Sequence, residues 1–127
     1  MKFFVFLSLS AVIFLCGCRT DITNQSFSFQ DTDGNRANIT FNADGSVNGF
    51  SGVNRFFGSY RQNENKITLH NLGSTRMAGH PAAMKFEDKF LDLLNHAAIC
   101  IDGNTLVFRR NGQNIMQLAP AKPDKIK

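Results

Sequence analysis

The chain has 127 residues and a formal net charge of +4 at pH 7, which allows one domain and leaves no room for a second. Although the chain is mildly basic, it contains no dense basic run with interleaved aromatic residues, so nucleic acid is not expected as a partner. Hydrophobic residues make up 43% of the sequence, enough to build a core.

The N-terminal residues have the layout of a secretory signal. Lys2 supplies a positive charge, and no charged residue interrupts the apolar run from Phe3 to Cys18. This run is shorter than the roughly 20 residues that a membrane-spanning helix needs. We interpret residues 1–17 as a signal peptide, with a membrane-spanning segment as the alternative.

The end of this run, Leu15 to Cys18, reads LCGC and resembles the cleavage box of bacterial lipoproteins. In that box the final cysteine becomes the lipid-modified N-terminus, which makes Cys18 the expected lipid attachment site. Its thiolate is the nucleophile that accepts a diacylglycerol group. Cys16 is unusual at the second position, and a plain secreted protein is the alternative. Only Cys100 would then remain, as a small buried side chain or a reactive thiol, and it cannot form an internal disulfide.

The residues after Cys18 indicate where the protein resides. Arg19 in the second mature position favours, by resemblance to Gram-negative sorting rules, the outer membrane on its periplasmic side. The polar residues 18–25 are expected to be a tether between lipid and fold. The expected location is therefore the cell envelope, with the membrane as a partner through the N-terminal lipid.

From residue 26 to Pro120 the chain reads as short strands joined by tight turns. Alternation of apolar and polar residues is typical of half-buried strands, and Asp-Gly or Asn-Gly pairs are strong hairpin signals. Such pairs stand at Asp33-Gly34, Asp44-Gly45, Asp102-Gly103 and Asn111-Gly112. Seven or eight short strands are expected, in an α+β fold of mostly antiparallel β structure whose sheet curls into a small barrel.

One segment, residues 81–97, has the pattern of an amphipathic helix. Pro81 suits the first helical position, and Phe86, Phe90 and Leu94 recur at helical spacing. This helix is expected to plug one end of the barrel or to pack on one side. Residues 121–127, after the last strand, are expected to be a disordered tail.

Several of these segments resemble the META domain family, also called HslJ-like, of small envelope proteins. The most specific part is the pattern Gly-x-x-Gly-x-Asn-x-x-x-Gly-x-Tyr, met here by Gly49, Gly52, Asn54, Gly58 and Tyr60. The segments STRMAG, EDKFLDLL, IDGNTLVF and NIMQLAP extend the resemblance over the domain expected at residues 26–120. It implies a barrel-like antiparallel sheet with one main helix and an association with stress response.

The sequence departs from that family at two positions. Many members carry cysteines where this chain has Val53 and Gly79, and the resemblance implies that these two positions can approach each other. Because both cysteines are missing together, neither position is expected to do chemistry here.

No catalytic, cofactor or metal site is expected. His70, His80 and His96 lack the local spacing of a metal site, and the chain has no nucleophile elbow, P-loop or dinucleotide-binding glycine motif. The main hypothesis is a non-enzymatic envelope lipoprotein that binds an unidentified envelope protein or cell-surface component. The alternative is an inhibitor of a periplasmic or host hydrolase, which would insert the loop GSTRMAGHP into its target.

An interaction surface is expected in and after the glycine-rich stretch, at Asn54, Arg55, Phe57 and Arg76. Neighbouring residues of a strand face opposite sides, so one ring of the pair Phe56 and Phe57 is expected outside the barrel. That ring either covers the helix or a loop, or belongs to a partner-binding patch.

Overall fold

The computed structural model describes residues 20–122. The predicted signal peptide, residues 1–17, and the predicted lipid attachment site, Cys18, lie outside these residues. Of the predicted tail, residues 121–127, only the first two are described.

Eight strands and one helix follow one another in the described part of the chain. The elements are β1 (Gln25–Gln30), β2 (Arg36–Phe41), β3 (Ser46–Phe50), β4 (Arg55–Asn63), β5 (Lys66–Ser74), α1 (Pro81–His96), β6 (Ala98–Asp102), β7 (Thr105–Arg110) and β8 (Gln113–Ala121). Each strand pairs antiparallel with the next, and β1 pairs with β8, which closes the barrel. The predicted antiparallel barrel with one helix is confirmed.

The hairpin turns form at the predicted dipeptides. The glycine of each pair has a positive φ, at Gly34, Gly45, Gly103 and Gly112. In the last turn Asn111 also has a positive φ of 54°, the combination that type I′ hairpins use. Strand register therefore follows from local sequence at these four turns.

Aromatic side chains fill the space between the helix and the barrel. Phe90 of α1 is fully buried, and its ring centroid lies 5.8 Å from that of Phe108 and 6.0 Å from that of Phe56. Burying each such ring stabilises the fold by about 1.5–3 kcal/mol. The helix thus places its apolar face on the barrel interior. Within residues 20–122 no helix is both long and apolar enough to span a membrane.

The fold begins inside the segment that the sequence predicted as a tether, residues 18–25. Ile22 is 0% exposed, and its N–H donates to Oε1 of Gln62 at 3.3 Å. The amide of Gln62 also donates to the carbonyl oxygen of Thr20. Burial of the Ile22 side chain stabilises this segment although its neighbours are polar. Residues 20–24 therefore pack against the barrel ahead of β1.

Gly49 lies at a point of close backbone approach between β2 and β3. A Cβ at this position would come within 2.0 Å of the backbone oxygen of Asn38 and 2.7 Å of the Phe56 ring. A backbone oxygen in a strand cannot move aside, so only glycine fits. The first glycine of the family pattern is therefore required by the architecture.

The pairing between β5 and β6 is short. It comprises Lys66 with Cys100 and Ile67 with Ile99, after which the two strands diverge and α1 lies beside β5. Cys100 points away from the interior and is half-buried, so it is less buried than the interpretation as a small buried side chain predicted. Its neighbours Ile99 and Ile101 are the residues of β6 that face inward.

Candidate functional site

The structure separates the four residues predicted as an interaction surface. Arg55 and Arg76 are exposed, and Phe57 is 52% exposed. Asn54 is only 3% exposed, because its side chain points toward α1 rather than toward solvent. It therefore lies beneath the surface that it was predicted to form.

The amide of Asn54 makes four hydrogen bonds inside the fold. Its Nδ2 donates to Oε2 of Glu87 at 2.7 Å and to the carbonyl oxygen of Met77 at 3.0 Å. Its Oδ1 accepts from the N–H of Met77 at 2.6 Å and from the hydroxyl of Thr75 at 3.0 Å. Asn54 thus joins the corner between β3 and β4 to the loop after β5 and to the helix.

Glu87 is a carboxylate buried in the contact between α1 and the β3–β4 corner. Its Oε1 accepts from the hydroxyl of Ser51 at 2.6 Å and from the N–H groups of Val53 and Asn54 at 3.0 and 2.6 Å. Burial alone would raise the pKa of Glu87, but the hydrogen bonds from Ser51 and Asn54 outweigh it and lower the pKa below its ordinary value. Together these groups form the corner network: Ser51, Val53, Asn54 and Glu87.

Sequence reasoning did not find the corner network, although one signal for it existed. Glu87 lies four residues after Ala83 and three before Phe90, so it falls on the apolar side of the helix. A buried carboxylate needs hydrogen-bond partners from elsewhere in the fold. The sequence therefore indicated that Glu87 has a partner, but not which one.

The loop between β5 and α1, residues 75–80, is exposed along its whole length. Asn54 holds both backbone groups of Met77, whereas the Met77 side chain is 63% exposed. At the end of the loop, Nδ1 of His80 accepts from the N–H of Ala82 at 3.3 Å and caps the helix before Pro81. The loop is thus exposed, yet fixed at its centre and at its end.

Val53 and Gly79, the two positions that the resemblance placed near each other, are in contact. A Cβ at Gly79 would lie 3.4 Å from Cβ of Val53 and 2.8 Å from one of its methyl groups. In this chain the valine methyl groups occupy the space beside Gly79. The corner and the loop are held here by packing instead of a covalent bond.

Phe56 and Phe57 divide between the two faces of the barrel, as predicted. Phe56 is buried, while Phe57 lies outside over Gly73, its cross-strand partner in β5. A Cβ at Gly73 would come within 2.9 Å of the Phe57 ring. The exposed ring therefore covers a neighbouring strand, not the helix or a loop, and Arg55 lies on the same outer face.

The buried polar side chains of the described residues are hydrogen-bonded within the fold. Every buried side-chain nitrogen or oxygen between residues 20 and 122 has a hydrogen-bond partner. In the same part of the chain, no three His, Cys, Asp or Glu side chains come together closely enough to hold a metal ion.

Comparison with known proteins identifies the same fold. The META domain family model matches residues 20–123, and no curated protein matches the chain. A solved NMR structure of a protein from Burkholderia xenovorans is 20% identical, with a TM-score of 0.60, and covers 80% of this chain and 85% of that one. A second NMR structure is also 20% identical, with a TM-score of 0.54 and coverage of 76% and 88%. At this identity the likeness establishes the fold alone.

The corner network predicts a pH-dependent stability that Glu87→Gln removes. The variant turns an amide N–H toward groups that donate hydrogen bonds, so we expect a loss of about 2 kcal/mol of unfolding free energy at neutral pH. Because folding lowers the pKa of Glu87 below 4.5, the carboxylate stabilises the fold above that pH. This stabilisation is lost as the pH falls through the lowered pKa.

Urea unfolding at neutral pH and at about pH 3 measures this difference. The gap between wild type and Glu87→Gln should shrink at the lower pH. Asp88→Asn removes the same charge from the exposed side of α1 and should change stability by less than about 0.5 kcal/mol. Equal effects of the two substitutions would contradict a structural role for the buried carboxylate.

The contact between Val53 and Gly79 predicts that cysteines at both positions form a disulfide. The separation of 3.4 Å between the two Cβ positions is close to the distance that disulfides need. We expect Val53→Cys with Gly79→Cys to be oxidised to the disulfide by dissolved oxygen and to gain about 3 kcal/mol over its reduced form. Thermal unfolding of the same variant with and without reductant provides the matched comparison, and failure to oxidise would refute the contact.

Proposed function

This chain belongs to the META domain family, and we propose that it acts as a non-enzymatic binding module held at the cell envelope by an N-terminal lipid. The observation that carries the proposal is the exposed ring of Phe57 on a barrel whose interior is filled. Resemblance to the family further suggests that the module works in a stress response.

A non-enzymatic role is supported by the hydrogen bonds of two acidic side chains, Glu87 and Asp92. The Glu87 carboxylate accepts four hydrogen bonds within the corner network, which leaves it committed to the fold. The Asp92 carboxylate accepts hydrogen bonds from Nδ1 of His96 at 2.9 Å and from Nη2 of Arg110 at 3.0 Å. Hydrogen bonds from Arg110 and then His96 lower the pKa of Asp92, so this carboxylate is stabilised as an anion and suits proton transfer poorly.

A binding role is supported by the outer face of β4. Aromatic residues and arginine are enriched at protein interfaces, where they carry much of the binding energy. Phe57 and Arg55 lie two residues apart on the same side of the strand. The ring packs against the backbone of Gly73 on one side, which limits the side-chain freedom that it would lose on meeting a partner.

The lipid anchor is supported by the sequence around Cys18. The predicted signal peptide, residues 1–17, is followed directly by Cys18 in a lipoprotein-like box, and Ile22, four residues later, is already buried in the barrel. A diacylglycerol group with a further acyl chain would hold the barrel firmly at a membrane. Such a short connection would keep the barrel close to the membrane surface.

The anchor predicts that Cys18→Ser abolishes lipid attachment. Metabolic labelling with an acyl precursor should mark the wild-type protein and not the variant, which should move from the membrane to the soluble fraction. Cys16→Ser is the matched control, because that cysteine leaves with the signal peptide and its loss should preserve the label. Acyl labelling of Cys18→Ser at the wild-type level would show that the anchor is elsewhere.

The Phe57 surface predicts a partner whose capture depends on that ring. Phe57→Ala should reduce capture from envelope extract at least tenfold, as expected for a central aromatic contact, while thermal stability stays near that of wild type. Ile115→Ala removes another exposed large side chain, 41% exposed on β8, and should leave capture unchanged. Unchanged capture by both Phe57→Ala and Arg76→Ala would show that the interaction surface is elsewhere.

Inhibition of a periplasmic or host hydrolase is the second candidate function. One observation favours it: the loop of residues 75–80 presents an exposed Met77 side chain while Asn54 holds its backbone from within. A fixed, protruding loop can enter an active-site cleft at a small entropic cost. If the protein captures a single hydrolase, and this capture requires Met77 but not Phe57, the result would support the inhibitor rather than the binding module.

A further inference from the structure

One edge of β5 loses its partner strand part of the way along. The carbonyl oxygen of Asn65 accepts from the N–H of Ile101 in β6 at 2.8 Å. The backbone groups of every second residue after Asn65 therefore also point toward β6. Ile67 next pairs with Ile99. Leu69 turns its backbone groups to the same edge, because N–H and C=O directions alternate along a strand. β6 has diverged by then, and no strand in the described part of the chain pairs with that edge beyond Ile67.

The space beside this edge is open. A cavity of about 220 Å³ lies between the end of β5 and α1, and another of about 230 Å³ lies where β5 and β6 diverge. Both are lined by Leu94 and Asn95 of the helix, so they are adjacent parts of one groove, the β5–α1 groove. Its walls also contain Leu72, Leu91 and Leu69, beside the polar side chains of Ser74 and Thr68, so the groove offers both apolar and polar contacts.

The charges of the β5–α1 groove are of one sign. Lys66 lies at one end and Arg76 at the other, and the remaining lining residues are uncharged. Neither cation forms a salt bridge within residues 20–122. The groove therefore suits a ligand that carries a carboxylate beside apolar side chains.

We propose that the β5–α1 groove binds an extended peptide, which adds as a strand to the free edge of β5 and places a terminal carboxylate near Arg76. Unpaired backbone groups favour a peptide over a lipid tail, because only a peptide offers both N–H donors and C=O acceptors along its length. The leucines of β5 and α1 receive alternate side chains of the peptide. Arg76 then fixes the direction in which the strand lies.

This site goes beyond the Phe57 surface and does not require it. Phe56, the inward-facing neighbour of Phe57, lines the groove, whereas Phe57 points to the opposite side of the strand. Loss of Phe57 should therefore leave peptide binding intact. Arg76 lines the groove and Phe57 does not, so loss of capture in Arg76→Ala alone points to the groove and loss in Phe57→Ala alone points to the Phe57 surface.

The test titrates the isotope-labelled domain with a pool of acetylated five-residue peptides composed of Val, Ile, Thr and Ala with a free C-terminal carboxylate. Saturable amide shifts are expected at Leu69, Leu72 and Asn95. Peptides N-methylated at alternate residues lose the strand hydrogen bonds and should bind at least tenfold more weakly. Amidation of the C-terminus should weaken binding by about tenfold in the wild type and have no effect in Arg76→Gln.

Matched tryptophan variants locate the site. Asn95 is exposed and lines both cavities, so Asn95→Trp should fill the groove and abolish binding, whereas Gln117→Trp on the exposed face of β8 should bind like the wild type. Phe57→Ala should also bind like the wild type. The proposal is overturned if millimolar peptide causes no saturable shift, if the shifts lie away from β5 and α1, or if N-methylation has no effect.

Discussion

The buried carboxylate of Glu87 is the constraint on which the arrangement of this barrel depends. Removing a carboxylate from water costs several kcal/mol unless hydrogen bonds replace those of water. Here all four come from the corner between β3 and β4, through Ser51, Val53 and Asn54. The corner must therefore approach the helix closely. Gly52 permits this, since a Cβ there would meet the Phe86 ring at 2.9 Å.

The family pattern acquires a structural meaning from this contact. Gly49 allows two strands to approach, Gly52 faces the helix, and Asn54 connects the helix to the loop. Tyr60 packs its ring on Phe41 at 4.9 Å and donates its hydroxyl to the carbonyl oxygen of Asn42. Because these pattern residues serve the architecture, binding must be sought in the residues between and beside them.

Local sequence signals predicted the strands, turns and helix well, whereas features that depend on contacts between distant residues could not be predicted. The Asp-Gly and Asn-Gly turns, the alternating strands and the helix after His80 each depend on neighbouring residues, so the sequence showed them directly. Asn54 was placed on the surface because its partner Glu87 is 33 residues away. Ile22 is a single apolar residue among polar ones, so its segment shows no repeating apolar pattern that would indicate burial. The divergence of β6 from β5 was equally invisible, because strand patterns do not specify how far two strands remain paired.

The same helix that the corner network fixes also determines where binding surfaces can exist. The chain leaves β5, forms the exposed loop and enters α1 before it returns as β6, so the helix forms the far wall of the groove beside the free edge of β5. The groove and the loop are consequently both positioned by the contact between Asn54 and Glu87. Phe57 instead depends on β4 and on Gly73 of β5. The groove and the loop thus both depend on the contact between Asn54 and Glu87, whereas the position of Phe57 depends on the sheet alone.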